Sequence, residues 1–177
     1  MAQTKMDAVA MLKADHRKVE GLFEAFEKAR NPARKKALAT QICTELTVHA
    51  TIEEEIFYPA CKGEVEEDLL DEAYVEHDGA KVLIAEITQA EPDAEFFDAK
   101  VKVLSELIKH HVKEEERRAE GLFAEAKAAG LDMDALAGRL AARKKELLAE
   151  IAANGLPAPT TRSYTGHDIT LGEPLAA

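Results

Sequence analysis

The sequence predicts an all-α fold: an up-down-up-down four-helix bundle with an additional C-terminal helix and an irregular tail. Three observations carry that expectation. Apolar residues recur at three- and four-residue spacing through four long segments. Glycine and proline are sparse, 9 and 6 in 177 residues, and sit mostly between those segments. No strand-like alternation occurs before the tail. Long helices joined by short connections pack most simply as antiparallel neighbours.

The first helix is expected over about residues 5 to 30, where Asn31-Pro32 breaks it. The second runs over about 33 to 61, ended by Pro59 and Gly63. The third covers about 65 to 90 and stops at Glu91-Pro92, and the fourth about 94 to 129, before Gly130. Asp132 reads as the N-cap of a fifth helix that continues to about Asn154. Its Lys and Arg residues between Arg139 and Lys145 put it on the outside. Pro157, Pro159, Thr160-Thr161 and Gly166 mark a tail without a clear period. The expected organisation is one bundle domain, residues 1–153 including the fifth helix, and an irregular C-terminal tail, residues 154–177. The sequence leaves open whether that tail stays loose, covers the bundle or reaches a neighbouring subunit.

A chain of 177 residues, 46% hydrophobic and 32% charged, has enough length and apolar content for one buried core. The net charge of -11 argues against a nucleic-acid partner and against anionic lipid, both of which it would repel. No apolar run approaches the roughly 20 residues needed to span a bilayer, so no membrane partner is expected. Met1 to Lys5 lacks the basic start of a signal peptide, which makes a cytoplasmic location the default. Cys43 and Cys61 lie eighteen residues apart. On one helix they would stand roughly 27 Å apart, beyond disulfide reach, and they read as two reduced thiols.

One pattern occurs twice. Asp15-His16 is followed thirty-three residues after the histidine by His49, with Glu53 four further on. Glu76-His77 is followed thirty-four residues after its histidine by His111, with Glu115 four further on. A His and a Glu four apart share one helix face. The helix phase turns that face inward. His16 falls between Leu12 and Val19, His49 between Leu46 and Ile52, His77 between Leu70 and Ile84, and His111 follows Leu104, Leu107 and Ile108. A lone histidine on an apolar face is more often a satisfied core residue than a ligand. Four, one per helix, with two carboxylates at matching offsets, form a ligand set sufficient for two transition-metal ions. Burying those carboxylates without partners would cost several kcal/mol each.

Other polar residues read differently. His110 also lies four before an acid, Glu114, but Glu106 precedes it where an apolar residue would belong, so it reads as supporting or surface. In the runs Glu53 to Glu55 and Glu114 to Glu116, one carboxylate of each faces inward and the rest form mainly a solvated face, with orientation of a neighbouring histidine as the alternative. Asp15 and Glu76 point elsewhere on their helices, so a direct role in orienting the ligands stays open but is not favoured. His167, in the tail, reads as exposed.

On these residues the chain resembles the hemerythrin-like, His-His-Glu cation-binding family of bacterial type. The resemblance covers about residues 8 to 125. It rests on Asp15-His16 with Leu22-Phe23, His49-x-x-x-Glu53-Glu54 running into Phe57-Tyr58-Pro59, Glu76-His77, and His111-Val112-x-x-Glu115-Glu116. It implies a four-helix bundle with two non-haem iron ions. By resemblance His16 and His49 would hold one iron and His77 and His111 the other, bridged by Glu53, Glu115 and an oxo or hydroxo group. Manganese or zinc also accept such ligands.

The oxygen carriers of the family have a further histidine four residues before the position of His77; here that residue is Ala73. The resemblance then implies an open position at both irons, which suits oxygen, peroxide or NO chemistry more than reversible oxygen carriage. Tyr74 is a candidate metal ligand or supporting residue near that vacancy, with a core-lining phenol as the preferred reading.

The expected function is to bind, sense or detoxify a small oxidant, diatomic or peroxide. Two alternatives belong beside it: an iron-binding, sensing or storage module without turnover, and a di-iron oxidase or oxygenase acting on an organic substrate. The last would need a pocket, with the tail around Arg162, Tyr164 and His167 as its lid. Enzymatic turnover, if present, would be that of a peroxide- or O2-dependent oxidoreductase. No partner protein is evident in the sequence.

Overall fold

The computed structural model describes residues 6–164, whose regular structure is helical, with no strand among them. Helix α1 (Ala8–Lys28) starts where the Asp7 carboxylate accepts the Ala10 N–H at 2.7 Å. Asn31 caps α2 (Pro32–Ile52) in the same way through the Arg34 N–H, with Pro32 supplying a preset φ at the first turn. Helix α4 (Glu67–Gln89) and helix α5 (Phe97–Glu115) complete the bundle. Between α2 and α4 lies the short helix α3 (Tyr58–Cys61). Asp132 caps α7 (Met133–Asn154), accepting the Ala135 N–H at 2.9 Å as the sequence predicts.

Two expectations need correction. The second helix is not uniform to residue 61: a π-helical turn, Glu53–Phe57, interrupts it, and Pro59 lies inside α3 rather than ending it. Pro59 has no N–H, and its ring would crowd the Glu55 carbonyl in a regular α-helix. The wider turn relieves this, with the Tyr58 N–H bonding to Glu53 O five residues back. The fourth helix, expected to reach 129, breaks after Glu115 and resumes as α6 (Leu122–Ala128). Gly121 permits that break. A Cβ there would stand 2.6 to 2.7 Å from Arg117 O and N and Glu114 O.

Two apolar clusters fill the bundle. One gathers Leu12, Ile52, Phe57, Ala73 and Phe123 with the inner face of α7, including Leu136 and Leu140. The other gathers Val19, Leu46, Ala80, Leu104 and Ile108. The inward histidines fall between them along each long helix, so the polar site lies at the seam of two dry regions. Helix α7 runs on the outside of α1 and α2, as expected, and contributes Lys144 to Asp15 and Arg143 to Glu55.

After α7 the chain returns across the bundle. Asp78 Oδ2 accepts the backbone N–H groups of Arg162 at 2.8 Å and Ser163 at 2.6 Å, and the Ser163 hydroxyl at 2.7 Å. The tail to Tyr164 therefore folds back over the bundle. His167 and the remaining tail lie outside the described residues. Cys43 and Cys61 are buried and unbridged, and burial pushes their thiols up to about 11 and about 12, which keeps them protonated. No described helix is long and apolar enough to cross a membrane.

Candidate metal centre

The four helices of the bundle and the π turn after α2 bring His16, His49, Glu53, His77, His111 and Glu115 together, all of them buried. The histidines meet in pairs through Nε2, His16 with His49 at 3.0 Å and His77 with His111 at 3.2 Å. Each carboxylate lies between the pairs. Glu53 Oε2 is 3.1 Å from His49 Nε2 and 3.4 Å from His77 Nε2. Glu115 Oε2 is 3.4 Å from both His16 Nε2 and His111 Nε2. The two carboxylates thus touch one histidine of each pair.

A second ring of carboxylates fixes the imidazoles. The Nδ1 atoms of His16, His77 and His111 lie 2.8 Å from Glu116, 3.0 Å from Glu54 and 2.8 Å from Glu76. His49 Nδ1 faces Asp15 Oδ2 at 3.6 Å. A carboxylate opposite Nδ1 selects the Nδ1–H tautomer and leaves the Nε2 lone pair aimed inward. Here the sequence reading of Asp15 and Glu76 is corrected. Each points away from its own histidine, but at the seam between helices that direction leads to the histidine of the next helix. Glu54 and Glu116 act in the same way. Glu55 and Glu114 instead pair with Arg143 and Arg117 at the surface, and His110 is exposed, with Glu76 at 3.4 Å.

The donor set is short of cations. Two Nε2 lone pairs facing each other at about 3 Å repel unless a positive centre lies between them. Protons can serve. Burial alone would lower His49, but Glu53, Asp15 and Glu115 outweigh it and raise the imidazole to about 10. The same opposition raises His111 well above its usual range through Glu115, Glu76 and Glu53. Burial and the nearby Glu115 would raise Glu53, yet His49 and His77 hold it down at about 2. Protons still leave Glu53 Oε1 buried without a hydrogen-bond partner, and Glu115 Oε2 with no contact shorter than 3.4 Å to the two imidazoles. Metal ions would satisfy the nitrogens and these oxygens together, so the residues present fit a bound metal.

Tyr58 is the site residue the sequence reading missed. Its hydroxyl donates to Glu115 Oε1 at 2.9 Å and lies 3.3 Å from both Glu53 Oε2 and His77 Nε2. Burial, Glu115 and Glu53 all raise its pKa well above the usual phenol value, so it is a neutral donor. The signal was available in Pro59: a π turn shifts the residue five after Glu53 onto the face of Glu53. Tyr74 stands behind Tyr58, ring edge to ring face at 5.3 Å, under the Arg162 guanidinium. The phenol in the centre is Tyr58 rather than Tyr74. Ala73 is buried in apolar surroundings.

The hemerythrin HHE cation binding domain matches residues 7–124, two-thirds of the chain, and the protein belongs to that family. Among solved structures the fold is similar to a hemerythrin HHE cation-binding domain-containing protein from Mycobacterium kansasii. The TM-score is 0.70 at 22% identity, over 85% of this chain and 95% of that one. A protein from Nostoc sp. described as a DNA nickase is 32% identical over 111 residues. Those residues are 63% of this chain and 32% of the relative, so the match spans about a third of the relative's length.

Proposed function

We propose that the protein holds two iron ions at His16, His49, Glu53, His77, His111 and Glu115 and uses them to bind, sense or detoxify a small oxidant: oxygen, peroxide or NO. The observation that carries this reading is the position of Glu53 and Glu115. Each touches one histidine of both pairs, and Glu53 keeps its other oxygen, Oε1, buried without a partner. His16 with His49 would hold one ion, His77 with His111 the other, and the two carboxylates would join them.

Two neighbouring irons, once bound, would supply paired one-electron steps to a small oxidant. The chain's own residues prepare that chemistry. The outer carboxylates hold the imidazoles in one tautomer and one orientation. The Tyr58 hydroxyl holds its one proton against Glu115, with Glu53 Oε2 3.3 Å away, where it could be given to a reduced oxidant. The two apolar clusters flank the seam on either side and exclude water along those two sides. Apolar packing around Ala73, where the oxygen carriers have a histidine, supports reaction with the oxidant over reversible carriage. The net charge of -11 supports a small ligand over a phosphate backbone, so the activity named for the Nostoc protein is not carried across.

Metal analysis with absorption spectra, as isolated and after anaerobic reduction and re-exposure to air, tests the reading. The expected result is two irons per chain with near-ultraviolet bands that vanish on reduction. Zinc, or no metal, after growth in iron-replete medium would overturn it. Reversible oxygen uptake with a long-lived spectrum would overturn the preference for reaction over carriage.

A further inference from the structure

A cleft of about 590 Å³ opens between α2 and α4 and reaches all four histidines of the cluster. A diatomic or peroxide ligand needs little more than the ~30 Å³ share of a water molecule. The cleft is an order of magnitude larger and falls in the range of sites that take whole organic molecules, roughly 300–1,000 Å³.

Its shape is long. On α4 the lining residues run from His77 to Gln89, about 18 Å of helical rise. Along the π turn and α2 they run antiparallel, from Glu55 back to Leu46. Val19, Leu46, Ile84, Ile108 and Val112 make the surface apolar. Thr51 and Thr88 donate their hydroxyls to carbonyls of their own helices at 2.7 Å, which leaves methyl groups for the cleft. The charges near the histidine end are paired already: Lys81 with Glu54 and Asp78, Glu55 with Arg143, Asp15 with Lys144. Such a lining asks for an apolar occupant.

The roof is not a helix. Residues Leu156 to Arg162 line the cleft as an extended strap running antiparallel to α4. Leu156 packs at the far end, with the apolar cluster that holds Ile84 and Ile87. Lys81 holds the Thr160 carbonyl midway at 3.2 Å, and Asp78 takes Arg162 and Ser163 at the metal end. The rest of the strap is exposed. A few polar bonds hold it, so lifting it to admit a ligand disturbs little of the core.

We propose that this cleft binds one elongated, predominantly apolar organic molecule, held between α2 and α4 under the Leu156–Arg162 strap with one end at the His/Glu centre. The proposal needs no turnover and no particular metal, so it stands or falls apart from the oxidant reading.

The test is fluorescence titration of the full chain, metal-free and metal-loaded, with 1-N-phenylnaphthylamine, then displacement by straight-chain primary alcohols. The series runs from roughly six to roughly fourteen carbons, a span set by the ~18 Å length of the cleft. One saturable site is expected, with alcohol affinity rising about fourfold per methylene and levelling as the chain fills the cleft. Ala85→Trp, which fills the cleft from α4, should weaken probe binding at least about tenfold with metal content and Tm unchanged. Thr88→Trp, at an exposed lining position, is a second filling variant should Ala85→Trp not fold. Val82→Trp, on the outer face of α4, should bind as wild type. Absence of saturable binding would overturn the proposal. So would affinity independent of chain length, or wild-type affinity in a folded filled variant.

Discussion

Against His77 stacks Tyr58, ring centroids 5.4 Å apart; against His16, in the matching place of the other half, stacks Phe123, at 5.8 Å. The inward His and Glu residues repeat almost perfectly, but the chain leaves each repeat differently. After Glu53 it continues through a π turn, which brings Tyr58 back onto the cluster. After Glu115 the helix stops, and the turn at Gly121 returns Phe123 instead. One wall of the centre therefore carries a proton donor and the other is dry. The outer carboxylates differ too. Glu76 reaches His111 Nδ1 at 2.8 Å, whereas Asp15, one methylene shorter, stops 3.6 Å from His49 and is drawn to Lys144. A repeated His/Glu set does not require two equal environments.

The largest expected effect comes from removing what the halves share. Glu53→Ala takes a ligand from both pairs and should abolish metal binding. A metal at a hundred times its Kd contributes about 2.7 kcal/mol. At about 2–4 °C per kcal/mol for a chain of this size, Tm in metal-containing buffer should fall by about 5–10 °C. His49→Ala should behave similarly. Retention of two metal equivalents in either variant would break the shared-bridge account.

In the metal-free protein the same cluster makes stability depend on pH. His49 is raised from 6.5 to about 10, so its contribution is complete below 6.5 and is lost as pH rises through about 10. Glu53 is lowered from 4.5 to about 2, so its contribution is complete above 4.5 and is lost as pH falls through about 2. Tm of metal-stripped protein should therefore peak between pH 4.5 and 6.5. The gain in Tm on adding metal should grow toward alkaline pH, because the metal must displace protons. A metal-free Tm that rises steadily from pH 6 to pH 10 would contradict the pairing.

Tyr58→Phe makes the two walls alike. It removes one hydroxyl and no ligand, so metal content should stay at the wild-type level. Reoxidation of the reduced protein should slow by roughly 10²-fold if the phenol delivers a proton in the rate-limiting step. An unchanged rate would leave Tyr58 as a packing residue that happens to satisfy Glu115. Smaller effects separate the outer carboxylates. Glu76→Gln should weaken metal binding by about 10–100-fold in chelator competition. Asp15→Asn should cost less, because the contact it loses is longer than a hydrogen bond. Equal losses would show that reach is not what distinguishes them.

The bundle and the six inward residues were legible because each has a short-range signal. Helical periodicity places His49 beside Leu46 and Ile52, and the four-residue offset places Glu53 with it. The missed features depend on the chain meeting itself. Tyr58 enters through a turn forced by Pro59, Phe123 through a break that Gly121 permits, and Asp15 and Glu76 through neighbours supplied by another helix. A helical-wheel argument assigns a direction to a side chain but not what waits there. The tail is the extreme case. Its composition has no period, and only the folded bundle presents Asp78 where the amides of residues 162 and 163 can bind.

The smallest expected effect tests the phase of α5 itself. His110 and His111 are adjacent, and both have an acid four residues on, Glu114 and Glu115. A helix turns about 100° per residue, so only one of the two can face the seam. The structure turns His111 inward, buried against Glu115, and leaves the His110 side chain 55% exposed. His110 approaches Glu76, which also orients His111, but at 3.4 Å from an exposed ring the interaction is screened by solvent. His110→Ala should therefore leave metal content at wild type and shift Tm by less than about 1–2 °C, within the range of ordinary surface substitutions. His111→Ala should lose metal. Equal metal loss in the two variants would mean that α5 is rotated from the position described, and with it the pairing of Glu115 against both halves.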